Sequence, residues 1–226
     1  MSMSTDLKAL LIPCVMLTTL MSYTEVEATP CNTGVTGIAS TCGTVLLVTS
    51  SVDSHWTVAG PITPTFPVIA IPPTIFGPAY ANYNPAWLAN GPDSGWITPS
   101  ALLQEEPSGQ YVYHTTFMDT ALFGGRYSSD NELLEVFLNN SLLLGFPVNA
   151  GNAFDSWTTF SIAGGQPGLN SLDFVVRNRD SSAPVTATTT GFRAEFSAIP
   201  EPSTLALYLV GLGSSILLRS RRAKPA

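Results

Sequence analysis

Side chains able to do acid–base chemistry near neutral pH are few in this chain. It carries two histidines, His55 and His114, and neighbouring carboxylates at Glu105-Glu106 and at Glu132 with Glu135. Paired carboxylates can act as acid and base in glycoside hydrolysis, but that reaction fixes their separation in space, which nearness along the chain does not. Both pairs read more simply as solvated charge. His114 falls in an alternating stretch with no nucleophile motif beside it, and there is no Gly-x-Ser-x-Gly, no His-Glu-x-x-His and no phosphate-binding loop. No residue is assigned a catalytic role, and the expectation is a protein that is not an enzyme.

Recognition chemistry has more material. Binding a carbohydrate asks for an aromatic face to stack on a sugar ring, with carboxylates, amides or arginines beside it to bond hydroxyls. Trp56, Trp87, Trp96 and Trp157 are the candidates, although the energy of burying an aromatic favours a core position for each. Trp96 has the best claim to exposure, because "GPDSGWI" sets it beside a turn. The segment "GGRYSSDNELLEVFLNN" adds Asp130 and Asn131 at a polar turn leading into a strand. There they could contact a sugar or Ca²⁺, with Arg126 as an ionic partner. The commoner use of Asp-Asn is an Asx turn that satisfies its own backbone.

Charge excludes one class of partner. From residue 29 to residue 197 the cations are Arg126, Arg177, Arg179 and Arg193, with no lysine, while Asp and Glu recur throughout. Nucleic acid requires a basic stripe to neutralise phosphates, and this acidic body lacks one.

Both ends of the chain read as export signals. Lys8 precedes an apolar stretch over 9–20, and Val26-Glu27-Ala28 is small at its first and third places, so cleavage by signal peptidase is expected after Ala28. Cys14 would leave with that segment. Cys31 and Cys42 remain, and two cysteines at short spacing in an exported chain predict a disulfide rather than a metal site. Closing so short a loop contributes ~3 kcal/mol or less. At the other end, Pro200-Glu201-Pro202 precedes an apolar run over 205–218, shorter than the roughly twenty residues of a comfortable membrane span. Arg219, Arg221, Arg222 and Lys224 follow as a basic stop signal held on the cytoplasmic side.

The triplet, short apolar segment and terminal basic cluster together resemble the PEP-CTERM sorting signal of Gram-negative bacteria. The resemblance implies membrane insertion during processing, cleavage near the triplet by an exosortase, and a destination at the cell surface, outer envelope or extracellular matrix, associated with biofilm and exopolysaccharide. The two prolines keep the segment extended, as a protease needs.

Between the ends, short alternating runs separated by Gly, Pro, Asn and Asp predict an all-β antiparallel sandwich over 45–197, after a signal segment 1–28 and an amino-terminal segment 29–44, and before a sorting tail 198–226. "QYVYHTTFM" sets Tyr111, Tyr113, Thr115 and Phe117 on one face, with Val112, His114 and Thr116 opposite. "ELLEVFLNN" sets Leu134, Val136 and Leu138 together, opposite Glu135, and "GFRAEFS" sets Phe192, Ala194 and Phe196 against Arg193 and Glu195. The proline-rich stretch 61–85 is expected to be a surface connection with a short strand around 66–71, and 181–190 a loop.

The body, through "HWTVAG", "PAWLANGPDSGWI", "YVYHTTF", "FDSWTTFSI", "PGLNSLDFVVRN" and "GFRAEF", resembles exported PEP-CTERM proteins with a galactose-binding-like jelly roll. That resemblance implies an architecture common among carbohydrate-binding modules. It also implies a structural calcium, for which Asp53 and Glu195, near the first and last strands, are the candidate ligands.

Overall fold

The computed structural model describes residues 29–38, 41–62, 73, 75–118, 122–149, 153–178 and 187–199. The signal segment 1–28, the expected strand at 66–71, Arg179 and the tail from Pro200 onward lie outside the described residues.

Every assigned element is a β-strand. They are β1 (Val35–Ile38), β2 (Thr41–Leu46), β3 (Val52–Ile62), β4 (Gly77–Asn82), β5 (Trp96–Thr98), β6 (Glu106–Pro107) and β7 (Gly109–Met118). The chain continues with β8 (Phe123–Asp130), β9 (Glu132–Leu138), β10 (Ser141–Leu142), β11 (Thr158–Ile162), β12 (Leu169–Asn178), β13 (Ala187–Thr188) and β14 (Gly191–Ala198). Ten strands hydrogen-bond in the order β10-β9-β12-β7-β3-β4-β5-β14-β8-β11, and each pairing is antiparallel. The remaining four form two ribbons, β1–β2 and β6–β13.

A twisted row of this length curls rather than lying flat, and ring contacts show where it closes. Phe174 of β12 and Phe192 of β14 are not on neighbouring strands, yet their centroids are 4.7 Å apart. Tyr113 of β7 lies 5.3 Å from Phe192, and Phe160 of β11 lies 6.3 Å from Phe174. The flank β9-β12-β7-β3 therefore faces the flank β14-β8-β11 across an aromatic core, as in a β-sandwich. Tyr111, Tyr113, Phe117, Phe192 and Ala194 are buried in that core, as alternation predicts.

The outer face of the first flank is also apolar. Val112, Phe137 and Val175 are buried there, with Ile62, Phe76 and Leu134 packed against them. Leu134 thus departs from the expected pattern. A bulge shifts the register between Val175 and Val176, so that Glu135 pairs with Val175 and Leu133 with Val176. One extra residue reverses which side chains point inward, and Leu133 takes the core position beside Val136 and Leu138.

The proline-rich stretch also differs from expectation. Its residues 77–82 are β4, an interior strand between β3 and β5. Pro78 is accommodated because the β3–β4 pairing is irregular between Asp53 and Thr57, next to its partner Thr57, and bulges are where a strand tolerates a missing N–H. Within 181–190, Ala187–Thr188 form β13 against β6.

The amino-terminal segment is joined to this frame. Cys31 and Cys42 are disulfide-bonded, with Cα atoms 5.1 Å apart. The Cys31 carbonyl accepts Trp56 Nε1 at 3.0 Å, while Thr33 donates its backbone N–H to the Ala194 carbonyl at 3.1 Å.

Leu133→Ala should cost ~2–5 kcal/mol in urea unfolding, the range for emptying a core leucine site, and Leu134→Ala clearly less. Equal losses would place the bulge elsewhere.

Candidate functional site

On β14, alternation turns Phe192, Ala194 and Phe196 inward and leaves Arg193 and Glu195 on the outer face. Arg193 is nevertheless only 2% exposed, because the connection between β4 and β5 crosses it. Gly91 makes the crossing possible, since a Cβ there would sit 2.8 Å from Arg193 Nη2. Arg193 donates Nε to Ser94 Oγ at 2.7 Å, a second nitrogen to the Ala89 carbonyl, and Nη2 to Glu195 Oε1 at 3.2 Å. Ser94 Oγ in turn donates to Glu195 Oε1 at 2.7 Å.

The other Glu195 oxygen faces β8. Arg126, its cross-strand partner, donates Nε at 2.7 Å and Nη2 at 2.6 Å to Oε2. Trp157, which enters β11, lies over both guanidiniums, its ring centroid 4.4 Å from Arg126 Cζ and 4.6 Å from Arg193 Cζ. Burial alone would raise the Glu195 carboxyl, but donors from Arg126, Ser94 and Arg193 outweigh it and hold the group below its ordinary value. Burial pulls the Arg193 guanidinium down, with Glu195 opposing. Glu195 therefore stays an anion, suited to accepting hydrogen bonds and not to donating a proton.

Beside this cluster lies a depression of about 410 Å³ lined by Asn32, Asp93, Arg126, Thr159, Glu195 and Ser197, among others. Asn32 is fixed by accepting the Phe196 N–H at 2.7 Å and donating to the Asp93 carbonyl at 3.0 Å. The Arg126 side chain is 46% exposed. Carboxylate, guanidinium, amide and hydroxyl groups on one partly open surface, with the Trp157 ring over Arg126 beside them, can bond the hydroxyls or carboxylates of a sugar.

The other expected contacts are placed differently. Trp96 is fully buried, its Nε1 donating to the Leu88 carbonyl at 2.7 Å and its ring tilted against that of Trp87 with centroids 4.6 Å apart. It offers no face to a ligand: Trp87 and Leu88, from the connection before it, lie against its ring. Trp56 and Trp87 are buried too, leaving Trp157 as the partly exposed tryptophan. Arg126 pairs with Glu195, not with Asp130. Asp130 is buried, and its Oδ2 accepts Trp87 Nε1 at 2.7 Å and Thr189 Oγ1 at 3.4 Å. Its Oδ1 accepts Asn131 Nδ2 at 2.8 Å. Gly191 leaves room for Trp87, since a Cβ there would lie 2.7 Å from its ring. Asp130 and Asn131 thus close a corner of the sandwich.

Asp53 accepts one backbone donor at each oxygen, Gly34 N–H at 2.7 Å and His55 N–H at 2.8 Å. Among the described residues no group of three or more His, Cys, Asp or Glu side chains is placed to hold a metal. Glu132 is ion-paired with Arg177, and Glu135 sits beyond the bulge with its carboxyl raised by burial. Glu105 is exposed while Glu106 is buried. His114 Nδ1 lies 2.7 Å from Asp173 Oδ1, with its ring stacked 4.5 Å from Phe76.

No family model matches the chain, and no curated protein is similar to it in sequence. Among solved structures it is similar to the β-glucosidase from Kluyveromyces marxianus in complex with glucose, at 10% identity and a TM-score of 0.27. The match covers 50% of this chain and 12% of that one, a likeness too slight to bear on fold or activity.

Burial raises the Asp130 carboxyl from 3.8 to about 6, against the lowering effect of the Trp87 and Thr189 donors. The folded protein keeps this proton where the unfolded chain has lost it. The resulting contribution to stability is full below 3.8 and lost as pH rises through about 6. Its full size is on the order of 3 kcal/mol. Asp130→Asn should flatten the stability profile across that window, and an unchanged profile from urea unfolding would remove Asp130 as its source.

Proposed function

We propose that this chain is an exported, non-enzymatic protein of the cell envelope or extracellular matrix, sorted through its carboxyl-terminal tail and contacting polysaccharide through the Arg126–Glu195 depression. The observation that carries the binding part is the partly exposed Trp157 laid over two arginines that share one carboxylate. The tail carries the destination: Pro200-Glu201-Pro202, the apolar run and the basic end stand in the order that a PEP-CTERM signal requires. In this reading signal peptidase and an exosortase are the processing partners, and the body is a jelly roll of the galactose-binding-like kind. Two facing antiparallel layers with an aromatic core support that finer assignment.

A carbohydrate-binding module with one defined glycan is the stricter form of the same proposal. The depression favours it, because Asn32, Arg126 and Glu195 in its lining are held by hydrogen bonds and so present a fixed pattern of donors and acceptors. A glycan-active enzyme would need a carboxylate free to give up a proton at the same surface, and Glu195 is held as an anion there.

Exopolysaccharide from the native host, immobilised and titrated with the protein, tests the binding part. Trp157→Ala and Arg126→Ala should each weaken retention about tenfold, the equivalent of ~1.4 kcal/mol. If both variants keep their circular dichroism and bind like the parent, the depression is not the contact. Mass spectrometry of the protein recovered from its host tests the sorting part: the expected carboxyl terminus lies near Pro200–Pro202, and a terminus that still holds residues 219–226 means a retained anchor instead.

A further inference from the structure

Exposed charge is sparse at one end of the sandwich among the described residues. Register defines that end: Leu169 pairs with Met118, Leu172 with Leu138, and Phe123 with both Ile162 and Ala198. The segments that build it include 52–55, 117–118, 122–125, 138–142, 160–171 and 196–199, and the ionisable residues in them are Asp53 and His55, whose side chains are buried. Asp119, in the connection that follows Met118, lies outside the described residues. At the opposite end Glu106 on β6, Asp130 and Glu132 flanking the β8–β9 turn, and Arg177 on β12 gather instead.

This end is also apolar at its surface. Met118 is 47% and Leu169 64% exposed there, and Leu144, on the adjoining side of the sandwich where Leu143 bonds the Val136 carbonyl, is 88% exposed. Leu144 stands on the wall of a groove of about 580 Å³ between residues 143–147 and 159–163, which reaches Ile162 and Ala163 at this end.

The chain leaves the fold here. Ile199 donates its N–H to the Leu122 carbonyl at 3.2 Å, and its Cδ1 lies 3.3 Å from where a Cβ on Gly124 would be. Residues 200–204 then separate this anchored point from the apolar run that begins at Leu205. Fully extended, so short a linker spans at most about 17 Å, of which the headgroup zone of one leaflet takes roughly 5–8 Å. An inserted tail therefore holds the sandwich against the membrane by this end. Charge selects the same orientation, because an anionic lipid surface repels the acidic end more than this one, where Asp53 is buried.

We propose that, while the tail is in the membrane, this end seats Met118, Leu144 and Leu169 in the lipid headgroup interface and turns the charged end of the sandwich away from it. The proposal rests on the tail being a membrane segment, and the experiment separates the two. The full chain carrying Cys14→Ser, whose other cysteines are paired, is reconstituted in phosphatidylethanolamine–phosphatidylglycerol vesicles. An environment-sensitive fluorophore is attached at Leu144→Cys, at Leu169→Cys, or at exposed Glu105→Cys near the charged end.

With the tail protected from added protease, labels at 144 and 169 should shift to the blue and be quenched by nitroxide-bearing lipids, and the label at 105 should do neither. Adding Met118→Asp to the Leu144→Cys chain should reduce quenching at 144 while the tail stays protected. Water-like emission at 144 and 169 beside a protected tail overturns the docking and leaves the tail reading intact. A tail open to protease overturns both.

Discussion

Phe174 against Phe192 is the contact on which the architecture turns. These two rings sit on strands that share no hydrogen bonds, and closing them to 4.7 Å converts a row of ten strands into two layers. Trp56, Tyr113, Tyr127, Phe146, Phe160 and Phe196 extend the contact across the interior. Offset and edge-on rings contribute beyond the area they bury. With so much of the aromatic surface turned inward, the outer faces carry the polar chemistry, and the alternation that puts Phe192 and Phe196 inside puts Arg193 and Glu195 outside.

Outside is not the same as exposed. The β4–β5 connection lies over β14, so Arg193 is a buried charge that survives because its donors meet acceptors and a counter-ion. A buried ion pair is stable only when its remaining donors are satisfied, and Ser94, Ala89 and Glu195 meet that requirement. The same connection encloses Trp96 and brings Trp87 onto Asp130. One crossing thus removes two tryptophans from the surface and places a carboxyl where it resists ionising, while Trp157 stays half-buried over Arg126 and Arg193.

How much of this could be read from the sequence follows from which interactions are local. Alternation in "QYVYHTTFM" and "GFRAEFS" places their core residues because side-chain direction in a strand is fixed two residues at a time. The same rule misassigns Leu134, since a bulge is a property of the pairing and "ELLEVFL" contains no sign of it. Pro78 argues for an edge or a loop by its chemistry alone, and only the irregular partner strand explains its place inside the sheet. At the candidate site the gap is wider. Arg126 and Glu195 are 69 positions apart and Ser94 is 101 from Glu195, so no local pattern joins them. "GPDSGWI" marks a turn beside Trp96 but not that Trp87 and Leu88 lie against the ring. The signal for Trp157 was a tryptophan in a polar run just ahead of a strand, which Trp96 shares.

The two arginines at the depression have separate tasks. Arg193 has its nitrogens committed and is dry, so it acts as scaffold: it fixes the Glu195 carboxylate and supports the Trp157 ring from beneath the crossing segment. Arg126 binds the same carboxylate through one edge of its guanidinium but keeps nearly half of its side chain in solvent. Glu195 therefore holds Arg126 in a single orientation while leaving donors to spare, which lowers the entropy a ligand must remove when it binds. The arrangement depends on the sandwich being closed, because β8 and β14 pair in register at Arg126 and Glu195 only while the aromatic core keeps β14 in place. Core and surface are in this way one structure: the rings that hold the layers together also set the distance at which the polar groups meet.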